Sequence, residues 1–242
     1  TASYACHVAK YWFEQIAGLP ADIDIASEFR YRDPVLSPAS MAIFVSQSGE
    51  TADTLAALRH VKEKVAKVVA VINVPTSSIA RESDLALPIL AGVEVGVAST
   101  KAFTCQLAVL ALLALKAAAD RGRIDAATLS ERLETLRALP GLMNAALALS
   151  DPIAAIAKDL AKAKDILFLG RGAMFPMALE GALKLKEISY IHAEGYASGE
   201  LKHGPIALID ASVPVIVLAP KDALFDKTVS NMQEVMARHG KV

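Results

Sequence analysis

The sequence predicts an α/β protein made of two doubly wound, parallel-sheet subdomains. Short apolar runs of strand type alternate with longer runs of helical period, the order expected of parallel strands joined by helices. An apolar run that ends in a Gly-containing turn and opens a helix occurs twice, once in each half. The chain has 242 residues, 54% hydrophobic and 21% charged, enough to build one large core or two small ones and too apolar for a disordered chain.

In chain order, Tyr4–Ala17 reads as a helix that starts almost at the first residue. Asp22–Ala26 (DIDIA) alternates polar with apolar and reads as an edge strand. Met41–Val45 (MAIFV) is an apolar strand running into Ser46-Gln47-Ser48-Gly49-Glu50-Thr51 and then a helix with Leu55, Leu58 and Val61 on one face. Val68–Ile72 (VVAVI) is a second buried strand, closed by Asn73 and Pro75, and Asp84–Leu87 begins a third. Lys101–Ala119 is a mostly apolar helix stopped by Asp120-Arg121-Gly122. Residues 124–150 are helical, with a break expected at Pro140-Gly141, and read as a connector between a first subdomain, 1–123, and a second, 151–242. The second repeats the scheme: strand Ile166–Leu169, turn Gly170-Arg171-Gly172, helix Met177–Ile188, a long polar loop Ile191–Pro205, and strand Pro214–Leu218. Each subdomain is expected to be incomplete, because the first lacks a strand before its first helix and the second stops soon after its last.

Composition excludes several function classes. The net charge is −1 and the basic residues are scattered, which leaves no electrostatic footprint for nucleic acid or an anionic membrane surface. Cys6 and Cys105 sit in no CxxC or Cys/His cluster, so no metal site is expected. The apolar run Leu107–Leu115 falls short of the roughly 20 residues of a membrane span and reads as a buried helix. Thr1-Ala2-Ser3 opens no charged and apolar leader pattern, so a cytoplasmic location is expected.

Two stretches carry candidate chemistry. The first is Ser46–Thr51. An open parallel sheet binds ligands beyond the carboxyl ends of its strands, and a helix N-terminus offers free amides and partial positive charge. Ser46, Ser48 and Thr51 add hydroxyls, Gly49 allows close backbone approach, and Gln47 can reach a sugar hydroxyl. The competing reading is that Ser48 or Thr51 simply caps the helix. Gly96–Lys101 (GVASTK) is a weaker second candidate, in which Ser99 caps a helix, touches a ligand, or both.

The second stretch is the helix holding Glu180, Lys184 and Glu187, spaced to lie on one face. They form either a solvated salt-bridged stripe or a site in which a carboxylate moves a proton and an ammonium steadies charge developing on oxygen. The loop that follows brings His203, flanked by Lys202 and Gly204-Pro205, a proton carrier at neutral pH or a merely structural side chain.

The stretches Ser46–Leu55, GVASTKAFT from Gly96, ALEGALKLKEISYIHAE from Ala178 and GELKHGP from Gly199, with YWFE (Tyr11–Glu14) and SEFRYR (Ser27–Arg32), together resemble the isomerase region of the glucosamine-6-phosphate synthases. These are the isomerizing glutamine–fructose-6-phosphate aminotransferases, whose isomerase region is built of two sugar-isomerase (SIS) domains of flavodoxin-like type. The resemblance implies that Thr1, Ser46, Gln47, Ser48 and Thr51 bind the sugar phosphate, and that Ser99 and backbone near Val97 contact the sugar. It implies that Glu187 moves a proton between C1 and C2 with Lys184 beside it. His203 then assists ring opening from the neighbouring subunit of a homodimer. It implies a hexose phosphate (fructose 6-phosphate, glucosamine 6-phosphate) as ligand and no metal or organic cofactor. Ala2 stands where the family carries Ser, which removes one hydroxyl. The family's N-terminal glutaminase domain and C-terminal lysine-bearing tail have no counterpart in the sequence, so weak binding and little activity are expected. Two readings of other kinds remain: a SIS module that senses a sugar phosphate without chemistry, and a sugar-phosphate deaminase or deglycase. A pure sensor has no need of Glu187, Lys184 and His203.

Overall fold

In the computed structural model, which describes residues Thr1–Val242, apolar periodicity resolves into ten α-helices and six parallel strands. The chain divides into two units, Thr1–Asp125 and Ala126–Val242.

The first unit opens with helix α1 (Ala2–Gln15), followed by a short helix α2 (Ala26–Phe29). Strands β1 (Met41–Ser46), β2 (Lys67–Ile72) and β3 (Leu85–Pro88) form a parallel sheet in the order β1-β2-β3, with Met41 opposite Lys67 and Val69 opposite Leu85. Helices α3 (Ala52–Val61) and α4 (Ser78–Glu82) connect them, and α5 (Lys101–Asp120) closes the unit. In β2 the side chains from Val68 to Ile72 are all buried, as befits a central strand covered on both faces. Val68, Ala70 and Ile72 pack with Leu58 and Val61 of α3 and Ile79 of α4. Helices α1 and α5 pack on each other.

Helix α5 is longer than its apolar run. Its 20 residues have the length and hydropathy of a membrane span, yet Ala102, Phe103, Gln106, Leu110, Ala114, Leu115 and Ala118 are buried along it, as in a core helix.

The predicted edge strand Asp22–Ala26 does not form. Residues 22–25 are irregular, and Ala26 starts α2. Asp24 turns its carboxylate onto the amide of Ile25, a local hydrogen bond that competes with a strand ladder, and Ile25 is exposed.

The second unit starts with three helices, α6 (Ala126–Arg137), α7 (Leu139–Leu147) and α8 (Ser150–Leu160). The break falls at Ala138 rather than at Pro140-Gly141, because Pro140 is accommodated in the first turn of α7, where its missing N–H costs nothing. Strands β4 (Asp165–Gly170), β5 (His192–Ala197) and β6 (Val215–Val217) form a second parallel sheet in the order β5-β4-β6. Central β4 sends Ile166 and Phe168 to one face, against Ala178 and Ala182 of α9 (Met174–Ser189). It sends Leu167 and Leu169 to the other, with Leu201, Ile209 and Val235, the last in α10 (Phe225–Met236).

The stretch Ile191–Pro205, expected to be a polar loop, instead begins as strand β5, paired along β4 from His192 to Ala197, and continues as a 3₁₀ turn, Ser198–His203. Its strand character is hidden because Gly195 and Ala193 take the places of large apolar residues. A Cβ at Gly195 would sit 2.8 Å from the Leu179 backbone, so glycine lets α9 lie directly on the strand.

Candidate functional site

Within the first unit, the hydroxyl turn lies at the carboxyl end of β1 and leads into α3. Ser46 is 4% exposed; its Oγ accepts the Gly49 amide at 3.0 Å and lies 3.4 Å from Thr51 Oγ1. Ser48 is exposed, and its Oγ accepts the Glu50 amide at 3.2 Å. Gly49 has φ +67°, and a Cβ there would lie 2.0 Å from Ser77 Oγ. Thr51 occupies the cap position of α3, but its side chain makes no capping bond. The simple capping reading therefore does not describe Thr51. The Thr51 carbonyl takes the amide of Leu55, so the amides of Ala52, Asp53 and Thr54 have no partner within the helix. The Gln47 carbonyl accepts the Asn73 amide at 3.1 Å, which ties the turn to the end of β2.

The two carboxylates near the turn are both engaged. Glu50 Oε1 accepts the Ser78 amide at 2.7 Å, and that bond holds its carboxyl below the usual carboxylate range. Asp53 Oδ1 accepts from Arg30 Nη1 at 2.7 Å. Neither arrangement was legible in sequence, because each partner comes from a separate element.

Thr1 precedes α1, and its carbonyl accepts the Ala5 amide at 3.1 Å. Val97 is 95% exposed, on an irregular stretch before α5. Ser99 does not cap α5. Its Oγ donates to Glu94 Oε2 at 3.0 Å, and the same oxygen accepts the Ala102 amide at 3.3 Å. A side-chain carboxylate several residues upstream thus does the capping, a role spacing alone did not assign to Glu94.

In the second unit, Lys184 of α9 bridges two acids. Its Nζ is 2.5 Å from Glu187 Oε2 and 3.6 Å from Glu180 Oε1. The side chains of Glu180, Lys184 and Glu187 are 6%, 16% and 31% exposed. The face is therefore not a solvated stripe. It is buried at Glu180 and opens toward Glu187. A carboxylate fixed through one oxygen by an ammonium is suited to proton transfer through the other. His203 ends the 3₁₀ turn after β5 and is exposed.

A family model described as the SIS domain matches residues 1–116 and 159–242, most of the chain and parts of both units.

The chain belongs to the SIS-domain family.

The SIS chain is 64% identical over all 242 of its residues to a glutamine–fructose-6-phosphate aminotransferase (isomerizing) of Brucella abortus, and 59% identical over the same length to one of Zymomonas mobilis. It spans 40% of the length of each. Among solved structures, it matches the C-terminal domain of glucosamine-fructose-6-phosphate aminotransferase from Francisella tularensis. That match has a TM-score of 0.97 and 49% identity, and covers 100% of this chain and 69% of that one. A glucosamine-6-phosphate deaminase from Thermotoga maritima matches with a TM-score of 0.81 and 25% identity, over 100% of this chain and 72% of that one.

Proposed function

We propose that the chain is the sugar-phosphate isomerase portion of a glutamine–fructose-6-phosphate aminotransferase, in which fructose 6-phosphate and ammonia, drawn from glutamine in the full protein, give glucosamine 6-phosphate and water. The observation that carries this reading is the turn Ser46–Thr51, with two hydroxyls beside the unpaired first amides of α3, in a chain 64% identical throughout to such an enzyme. Ser46, Gln47, Ser48 and Thr51 take the phosphate, with Thr1 supplying a further hydroxyl. Ser99 and the backbone at Val97 contact the sugar. Glu187 carries the proton between C1 and C2, steadied by Lys184, and His203 passes the proton that opens the sugar ring. Aldose–ketose exchange needs only a base, an acid and charge stabilisation on oxygen, so no metal or organic cofactor enters. The enzyme acts in the cytoplasm as a homodimer, each His203 serving the neighbouring subunit.

The divisions of the chain follow the same reading: residues 1–123 and 151–242 are the two SIS subdomains, and 124–150 connects them. The likeness to a deaminase keeps a second reading in play, in which the same residues release ammonia from glucosamine 6-phosphate.

A thermal-shift titration tests the proposal. Fructose 6-phosphate and glucosamine 6-phosphate are expected to raise the melting temperature, because a ligand bound only by the folded state stabilises it, whereas unphosphorylated fructose is not. Equal shifts with and without the phosphate would remove the cradle. Turnover of glucosamine 6-phosphate without any ketose amination would favour the deaminase.

A further inference from the structure

Arg30 belongs to the SEFRYR segment, which the reading above leaves without a role. It follows α2 directly and reaches α3, where Nη1 donates to Asp53 Oδ1 at 2.7 Å. The two side chains are 30% and 44% exposed. The guanidinium also stacks over the ring of Tyr31, 4.8 Å from its centre. Asp53 is the second residue of α3, two positions past Thr51.

That position matters because Ser46–Thr54 holds two carboxylates, Glu50 and Asp53, and no cation. A carboxylate in the first turn of a helix is drawn to its positive end and competes there with an incoming anion, which it also repels. Glu50 is turned onto the Ser78 amide. Asp53 is held by Arg30.

We propose that Arg30 is a positioning residue for anion binding at the Ser46–Thr51 turn: it draws the Asp53 carboxylate aside and neutralises it, so that the first amides of α3 are left for the phosphate. This inference rests on the reading of that turn as a phosphate cradle. An ion pair that merely ties α2 to α3 predicts something else, because then the charge on Asp53 is immaterial once Arg30 is gone.

The test is calorimetric titration of fructose 6-phosphate into the chain and into Arg30→Met, Asp53→Asn and the double variant, at low and at physiological ionic strength. Arg30→Met is expected to raise Kd about tenfold, with a larger effect at low salt, where the freed carboxylate is less screened. The double variant is expected to recover to within about threefold of the unaltered chain, since the offending charge is gone. Unchanged binding by Arg30→Met, or a double variant as weak as Arg30→Met, overturns the inference while leaving the cradle in place. A folded, unaltered chain that takes up no ligand at all overturns the cradle and the inference with it. If Arg30→Met fails to fold, Asp53→Asn decides. Binding as tight as or tighter than the unaltered chain supports the proposal, and weaker binding overturns it.

Discussion

Gly49 occupies the tightest point of the hydroxyl turn. Its φ of +67° lies where a side chain is strained, and a Cβ would strike Ser77 Oγ at 2.0 Å. Gly49→Ala is therefore expected to cost about 2 kcal/mol or more, read as a lower urea midpoint with an unchanged slope, and to weaken hexose-phosphate binding because the turn must shift. Ser46→Ala takes the acceptor from the buried Gly49 amide and is expected to cost about 1–3 kcal/mol by the same measurement. On α9, Glu187→Gln keeps the size of the side chain but removes the proposed base. Isomerisation is expected to fall by at least about a hundredfold while ligand-induced stabilisation persists, and surviving turnover would move the base elsewhere. Lys184→Met removes the cation that both Glu180 and Glu187 face, so it is expected to lower both activity and stability.

The strands and helices show which parts of a fold a sequence displays. VVAVI and ILFL announce themselves because central parallel strands are buried on both faces, MAIFV does so by its unbroken apolar run although β1 lies at the edge of its sheet, and β1, β2 and β4 extend each by only a residue or two. HAEGYA does not, because the helix lying on it demands small residues, and smallness is no strand signal. The same closeness makes a prediction: Gly195→Val raises β-propensity yet forces α9 off β5, and is expected to destabilise by about 2–3 kcal/mol in chemical denaturation. DIDIA misleads in the other direction, since its alternation is genuine but Asp24 satisfies a neighbouring amide locally. The candidate site was legible where one segment carries it whole, as in SQSGET or the Glu180–Glu187 face. It was illegible where a partner arrives from a distant segment, as Arg30 does at Asp53 and Ser78 at Glu50, or from a nearby one with no helical spacing, as Glu94 does at Ser99.

For the molecule entire, the titrating groups set a window of stability. Burial pushes the Cys6 thiol up to about 12 from an ordinary 9.0, and the hydrogen bond to Glu194 raises the Tyr196 hydroxyl to about 12 from 10.0. Both are neutral when protonated. Their raised values thus contribute stability that is complete below the ordinary value and is lost as pH climbs through the folded one. The melting temperature is expected to be flat near pH 8 and to fall between pH 9 and 12, with a shallower fall in Cys6→Ala. On the acid side Glu50 and Asp210 are lowered, the former by the Ser78 amide and the latter by the Ser212 hydroxyl, so their contributions fade as pH drops through the carboxylate range. Both are exposed, and that loss is gradual. The turn that carries the proposed cradle is fastened from outside itself: Gln47 to Asn73, Gly49 carbonyl to the Ile79 amide, Glu50 to Ser78 and Asp53 to Arg30. A receptor moulded in advance captures its guest in a single encounter. Stopped-flow traces should then accelerate in direct proportion to ligand concentration, and a plateau would betray a slow reshaping step that these tethers are there to forestall.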